Sequence, residues 1–219
     1  MPSSSPARAQ SPPRVGPDEK RLRILEAARS VCTREGYEAA TMEAIAAEAR
    51  VSKGTLYNFF ESKEHLFLST VLQSYDEAEA RTEALVGPSE DPRVRLDGFL
   101  EAMIESFPHV AAGMMVNLQV WAVVSRDADS RTRMFEDLSR RYGRLGADIE
   151  ATLSAGQQAG VFRSDFAAAA VAAGLLAVLD GYVYRSVFDP GRAGARDLRA
   201  SLDALIRERV LVSVEEGGR

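Results

Sequence analysis

The sequence predicts an all-α protein in which a small three-helix unit, a helix-turn-helix, precedes a larger helical domain. Apolar residues recur at helical spacing in nearly every segment from residue 18 onward. No segment alternates apolar and polar residues as a half-buried strand does. Ser, Thr, Asp and Gly stand where helices usually begin and end. We expect a tail over residues 1–17, a first domain over residues 18–65 and a second over residues 66–214.

The tail is predicted to be disordered because it contains five prolines and little apolar material to bury. Its charged residues are Arg8 and Arg14. A solvated extension is the simpler interpretation. The alternative is a basic arm that contacts DNA, although two arginines offer few phosphate contacts.

Four helices are predicted in the first third of the chain. The first begins at Asp18, where negative charge favours a helix start, and ends at Gly36. Thr41 caps a short second helix, and Ser52 caps a third that ends near Phe60. Ser62 then opens a fourth helix.

Five more helices are predicted beyond Pro88 and Pro92. We expect the first over residues 93–107, stopped before Pro108, and the second over residues 109–124. A long helix follows over residues 130–158. Asp165 is expected to cap a strongly apolar helix that reaches residue 187. After a turn at residues 189–191, the last helix covers residues 196–212.

The second and third helices, with the first packed behind them, form a helix-turn-helix. In such a unit the second helix of the pair enters the major groove of DNA. Leu56 and Phe60 are four residues apart and face the core. The other faces carry donors suited to phosphates and base edges, namely Lys53, Thr55, Tyr57 and Asn58, together with Phe59. If these residues only capped and packed, Tyr57 and Phe59 would stand uncovered on an outward face.

Residues 20–68 resemble the signature of TetR-type bacterial repressors in order and spacing. The matching segments are Gly36-Tyr37, Thr41-Met42-Glu43-Ala44-Ile45-Ala46, Val51-Ser52-Lys53-Gly54-Thr55-Leu56-Tyr57-Asn58-Phe59-Phe60 and Ser62-Lys63-Glu64. Downstream, Asp180-Gly181 and residues 121–127 are similar to one large subgroup. The resemblance implies a dimer that binds operator DNA and releases it when a small molecule binds.

The resemblance also implies roles for individual residues. Thr41 and Tyr57 would bind phosphates, and Lys63 would neutralise one. The residues that would approach the major groove are Lys53, Gly54 and Thr55. The residues that would take part in the choice of DNA sequence are Asn58 and Phe59. Many relatives have Gly in the turn where this chain has Arg50, so a left-handed backbone there would cost about 1 kcal/mol.

The apolar helix over residues 166–187 predicts burial on every side, either in a dimer interface or in an internal core. With the last helix it suggests the four-helix interface that the resemblance implies. The residues expected there are Leu175, Val178, Tyr182, Leu198, Leu202 and Leu205.

An apolar effector pocket is expected among the central helices, where Met-rich walls would suit hydrophobic ligands. The candidates are Met103, Phe107, Met114, Trp121, Phe135 and Tyr142. The alternative is that these side chains are simply core.

The composition of the chain limits the classes of function that it can have. The net charge is −5, and residues 18–65 hold eight Lys and Arg against nine Asp and Glu, so DNA binding depends on the placement of charges. The longest apolar run, residues 166–179, is short for a membrane span. A single Cys32 and no signal-peptide core favour the cytoplasm.

An enzyme is the main rival class, but no phosphate loop, nucleophile elbow or metal-type cluster is present, so no catalytic residue, metal or cofactor is expected. A second rival keeps the DNA binding and makes the protein an activator or a corepressor-dependent regulator.

Overall fold

The computed structural model describes residues 16–189, 191 and 193–211, with the side chains of residues 130 and 207–209 left aside. It confirms the all-α prediction. Within these ranges the chain forms eight helices: α1 (Pro17–Glu35), α2 (Met42–Glu48), α3 (Lys53–Phe59), α4 (Lys63–Val86), α5 (Pro92–Val124), α6 (Ala128–Gln158), α7 (Ala168–Phe188) and α8 (Ala195–Arg209). Residues 1–15 of the predicted tail, the end of the last predicted helix and Pro190 of the predicted turn lie outside the described residues.

The predicted caps at the first helix boundaries are confirmed. The side-chain oxygens of Thr41, Ser52 and Ser62 accept hydrogen bonds from backbone N–H groups in the first turns of α2, α3 and α4. Gly36 ends α1 with a φ of 83°, a left-handed value that glycine adopts without a steric penalty. Pro17, which we assigned to the tail, is instead the first residue of α1, where proline is favoured.

Two predicted boundaries are wrong. Residues 92–124 form one continuous helix, with Pro108 inside it. Proline removes a helical hydrogen bond and costs about 3 kcal/mol or more, so the packing of α5 on both sides of Pro108 must offset this loss. Asp165 does not cap α7, which begins at Ala168. The Asp165 carboxylate accepts instead a hydrogen bond from the guanidinium of Arg163, at 2.9 Å.

Two hydrophobic cores share the three longest helices. The first core, around Ile45 and Leu56, joins α1–α3 to the start of α4, the end of α5 and the start of α6. The second core, around Phe99 and Leu175, joins the other ends of α4–α6 to α7 and α8. The predicted domain boundary after residue 65 falls inside α4, so the two units are joined by helices and not by a linker. The boundary itself stays a prediction.

By length and composition alone, α5 and α7 are each candidates for a membrane span, although we expected none. The length of α5 arises because Pro108 does not end it. Both helices pack in the second core, and α7 carries Asp180 and Arg185 within its length.

Gly98 allows α5 to approach the end of α4, and this contact yields a prediction. A Cβ at Gly98 would lie 2.7 Å from the Leu85 carbonyl oxygen and from Val86 Cα, both of them backbone atoms. Gly98→Ala should therefore lower the free energy of unfolding by about 1–3 kcal/mol, the usual effect of overpacking. Urea denaturation measures the change.

The matched control is Gly113→Ala in the same helix, since a Cβ at Gly113 would meet no heavy atom within 4 Å. Alanine should raise the stability there by about 0.5–1 kcal/mol through its helix propensity. Equal effects of the two substitutions would contradict the close approach of α5 to α4.

Candidate DNA interface and effector cavity

The turn between α2 and α3 has the left-handed residue that the sequence suggested. Arg50 has a φ of 54°, the only positive φ of a non-glycine residue in the described ranges. The backbone N–H of Arg50 donates to the Ala47 carbonyl at 3.1 Å, and that of Val51 donates to the Ala46 carbonyl at 3.0 Å. These bonds end α2 and set the direction of α3 despite the steric cost.

α3 separates a buried face from an exposed one. Leu56 and Phe60, at the end of the helix, are buried in the first core. Lys53, Asn58 and the 42%-exposed ring of Tyr57 lie on the outer side. Only Tyr57 fits the expectation of an uncovered outward aromatic.

The remaining α3 candidates lie at the margin of the exposed face. Phe59 is half-buried and packs against the first core. Gly54 is exposed, and Thr55 is half-buried with its hydroxyl 2.8 Å from that of Ser52. This placement gives α3 an outward surface of mixed polar and aromatic character, suited to a groove in DNA.

The two lysines predicted to contact DNA are held by local partners. The ammonium of Lys53 pairs with the Glu43 carboxylate across the α2–α3 turn, and this pair raises the pKa of the lysine and lowers that of the glutamate. The Lys63 ammonium donates to the Glu38 carbonyl at 3.1 Å and lies 4.4 Å from the centre of the Tyr37 ring. Lys53 is therefore held beside α3, whereas Lys63 lies against the turn that joins α1 to α2.

A cavity of about 300 Å³ lies among α4, α5, α6 and α7. We call it the effector cavity. Of the six predicted pocket residues, only Met103 and Tyr142 line it. Phe107 and Met114 pack in or against the second core instead. Trp121 packs against the first core, with the Phe135 ring 5.1 Å away.

Sequence reasoning missed the polar part of this cavity. Asp180 on α7 accepts a hydrogen bond from the Tyr142 hydroxyl at 2.9 Å, and the Tyr75 and Tyr142 rings lie 6.4 Å apart in an edge-to-face arrangement. Burial is the main cause that raises the pKa of the Asp180 carboxyl and of both tyrosines. Asp180 interrupts the longest apolar run of the chain, and that interruption was the signal in the sequence for a carboxylate set among apolar residues.

The cavity rim carries charges that neutralise one another. The Arg141 guanidinium lies 2.7 Å from the Asp76 carboxylate and 2.8 Å from that of Asp137. Arg144 pairs with Glu79 at 3.0 Å. The pairs of Arg141 with Asp76 and of Arg144 with Glu79 link α4 to α6, whereas the pair of Arg141 with Asp137 lies within α6.

The residues predicted for a dimer interface divide into two groups. Leu175, Leu198 and Leu202 are buried within this chain alone and pack α7 against α8. Val178 and Tyr182 are half-buried, with the Tyr182 hydroxyl 2.8 Å from that of Ser201, whereas Leu205 is 36% exposed.

The face of α7 opposite Leu175 carries an exposed stripe of small and aromatic residues, none of which is among the six residues predicted for the interface. We call it the α7 stripe, and its members are Ala170, Ala173, Ala177, Gly181, Tyr184 and Phe188. Phe188 is 81% exposed in the isolated chain. An apolar stripe of this length is typical of an interaction surface.

Comparison with known proteins agrees with both halves of this description. Residues 24–70 match the family model for bacterial regulatory proteins of the tetR family, and residues 92–211 match the model for the C-terminal part of BetI-type transcriptional repressors. A putative transcriptional regulator from Saccharomonospora viridis, solved in complex with choline, is 27% identical with a TM-score of 0.72. The similarity covers 89% of this chain and 99% of that one.

Curated relatives match this chain over part of its length. The transcriptional repressor KstR of Mycolicibacterium smegmatis is 38% identical over 79 residues, which are 36% of this chain and 39% of KstR. The transcriptional activator FasR of the same species is 35% identical over 100 residues, 46% of each chain. The chain thus matches less than half the length of either relative.

The fold and the exposed α3 together define a helix-turn-helix regulator with a helical cavity domain. The chain belongs to the TetR family of transcriptional regulators, as the resemblance of residues 20–68 predicted. Members of this family are DNA-binding proteins that also take up small molecules, and its characterised members are regulators of transcription.

Relief of the strain at Arg50 is a testable consequence of the turn geometry. Arg50→Gly should raise the free energy of unfolding by about 1 kcal/mol, because glycine adopts the left-handed conformation without a Cβ clash. Arg50→Ala is the control, since it removes the same side chain and keeps the clash. If both variants change stability equally in urea denaturation, the backbone at residue 50 is not strained.

Proposed function

We propose that this protein is a ligand-responsive repressor that binds a palindromic operator as a homodimer in the cytoplasm and releases it when an effector enters the cavity. The observation that carries the proposal is the outward face of α3, with Lys53, Tyr57 and Asn58 exposed. Hydroxyl, amide and ammonium donors on one short helix suit phosphates and base edges in the major groove.

The DNA contacts would surround α3. Thr41 accepts the α2 capping bond, and its O–H remains able to donate to a phosphate. Lys53 would leave Glu43 for a phosphate, and Lys63 would do so from the N-terminus of α4, where the helix dipole also favours an anion. Gly54 and Thr55 would allow close approach to the groove. Asn58 and the outer edge of Phe59 would read bases.

Dimerisation is proposed through the α7 stripe and the adjoining exposed part of α8, including Leu205. Ala and Gly residues permit a close approach of helices, and the exposed Tyr184 and Phe188 rings would then be covered. A two-fold dimer places two copies of α3 on successive turns of the major groove, which accounts for a palindromic operator.

The coupling between effector and DNA would pass through α5. The Gln119 side-chain oxygen of α5 accepts a hydrogen bond from the backbone N–H of Tyr37 at 3.0 Å, in the turn between α1 and α2. The same helix lines the effector cavity through Phe99, Met103 and Ser106. A ligand that favours one position of α5 would therefore bias the position of the helix-turn-helix.

The sign of regulation has one specific alternative. The 35% identity to the activator FasR of Mycolicibacterium smegmatis over 100 residues favours a second candidate, an activator of the same fold. Deletion of the gene with measurement of neighbouring transcripts separates the two, since loss of a repressor raises those transcripts and loss of an activator lowers them.

The first test is a mobility shift of the full-length protein with DNA fragments that flank its own gene, over a salt series. We expect a discrete shift that survives excess nonspecific DNA and weakens with salt, because counterions are released from the phosphates. If a genome-wide selection of bound fragments also recovered no specific site, the DNA-binding proposal would be wrong.

Two substitutions test the contacts around α3. Tyr57→Phe should weaken operator binding roughly tenfold or more, since a hydrogen bond to a charged group contributes about 1.5–3 kcal/mol. Lys63→Ala should reduce the slope of log affinity against log salt by about 1, since it removes one phosphate contact. Fluorescence anisotropy with the selected operator measures both effects.

The control for these substitutions is Arg93→Ala, an exposed charge at the far end of α5 beside the second core. It should leave affinity and salt slope unchanged, and all three variants should remain dimers by light scattering. Unaltered binding by Tyr57→Phe and Lys63→Ala would remove these residues from the contact surface.

Gln119→Ala tests the link through α5. The substitution leaves the buried N–H of Tyr37 without its acceptor, which should cost about 1–3 kcal/mol of stability and speed hydrogen exchange at that amide. Operator affinity should fall as well, because the α1–α2 turn loses its tie to α5. Asn117→Ala on the same helix is the control, and identical results for both variants would exclude a specific link at Gln119.

A further inference from the structure

We propose that Tyr37 is a positioning residue for operator binding, because its ring holds the Lys63 ammonium at the N-terminus of α4 without neutralising its charge. This inference rests on the proposed function in taking Lys63 as a phosphate contact. It adds a buried residue that acts on DNA through Lys63 and need not touch the DNA itself.

Two neutral groups of the turn between α1 and α2 hold the Lys63 ammonium. It lies 4.4 Å from the centre of the Tyr37 ring, within the range of a cation–π contact, and it donates to the Glu38 carbonyl at 3.1 Å. An ammonium has three N–H donors, so donors remain for a phosphate while both contacts persist. A side chain that is already held in place loses less conformational entropy when it binds.

The charge of Lys63 is not cancelled by an ion pair. Among the residues that the structure describes, no carboxylate oxygen lies within 4.0 Å of its ammonium. Lys53 differs, since its ammonium is paired with the Glu43 carboxylate and must give up that pair before it binds a phosphate. A cation held by a ring and a carbonyl keeps its charge for a charge-assisted hydrogen bond to a phosphate.

The Tyr37 ring is itself fixed in place. The residue is 5% exposed, the Phe67 ring meets it edge to face at 5.0 Å, and its backbone N–H bonds to Gln119 of α5. Its buried hydroxyl has no hydrogen-bond partner among the described residues, and burial is the main cause that raises the pKa of Tyr37 to about 12. The hydroxyl is thus neutral near pH 7, and the ring carries the contact with Lys63.

NMR of the lysine side chains tests the contact without DNA. The sequence contains three lysines, Lys20, Lys53 and Lys63, so reductive methylation of the full-length protein with 13C-formaldehyde yields few signals. Lys63→Arg identifies the Lys63 signal by removing it. The ring current of Tyr37 should shift that signal upfield, Tyr37→Leu should abolish the shift, and Tyr37→Phe should retain it. A Lys63 signal that Tyr37→Leu leaves in place would overturn the proposal.

A double-mutant cycle with the selected operator tests the consequence for DNA binding, with fluorescence anisotropy as the measurement. Tyr37→Leu should weaken binding about fivefold when Lys63 is present, the effect of losing one cation–π contact. In the Lys63→Ala background it should weaken binding by less than about twofold, since the ring acts only through the lysine. Tyr37→Phe keeps the ring and should restore the affinity. Equal losses in both backgrounds would show general damage to the helix-turn-helix and would overturn the proposal.

Met134→Ala is the structural control, because it removes a buried side chain of the first core on α6. It should lower the melting temperature and leave both the Lys63 signal and the effect of Lys63→Ala on binding unchanged. If Tyr37→Leu fails to fold by circular dichroism, an unshifted Lys63 signal in the Tyr37→Phe variant would overturn the proposal, and a retained upfield shift would support it. Absence of any operator would contradict the proposed function, whereas an additive cycle on a bound operator would contradict only the role of Tyr37.

Discussion

The structure depends on three helices that belong to two hydrophobic cores at once. α4, α5 and α6 each bury one end beside the helix-turn-helix and the other beside α7 and α8. Neither core can shift against the other without moving a helix that both contain, because packed interiors resist continuous deformation. The effector cavity opens between these shared helices and α7. A change in the cavity therefore has a short physical route to α3.

The continuity of α5 through Pro108 is the most informative departure from the sequence-based prediction. Proline in a helix interior loses one hydrogen bond, and local rules place a boundary before it. Apolar side chains on either side of Pro108, including Met103 and Val120, are buried in separate cores, so tertiary packing outweighs the local preference. A boundary rule uses only neighbouring residues and cannot weigh burial that depends on distant helices.

The N-terminal helices could be predicted closely because their determinants are local. A cap such as Ser52 bonds to a backbone N–H three residues away, and the strained Arg50 follows from the spacing of two short helices. The cavity could not be predicted in this way. Tyr75, Tyr142 and Asp180 come from three helices and meet only through the fold, and the predicted Trp121 was assigned to a pocket from residue type alone.

α7 connects the cavity to the proposed dimer surface, since it contributes residues to both. It presents Asp180 to the cavity and the α7 stripe to solvent in the isolated chain, and Tyr184 of the stripe lies one turn from Asp180. A helix moves as a rigid unit over a few turns, so a ligand that contacts Asp180 would displace the surface through which two subunits are proposed to meet. In the proposed dimer, the separation of the two α3 helices would depend on that surface. The same ligand contact would then have two routes to DNA, one through α5 within a subunit and one through the geometry of the dimer.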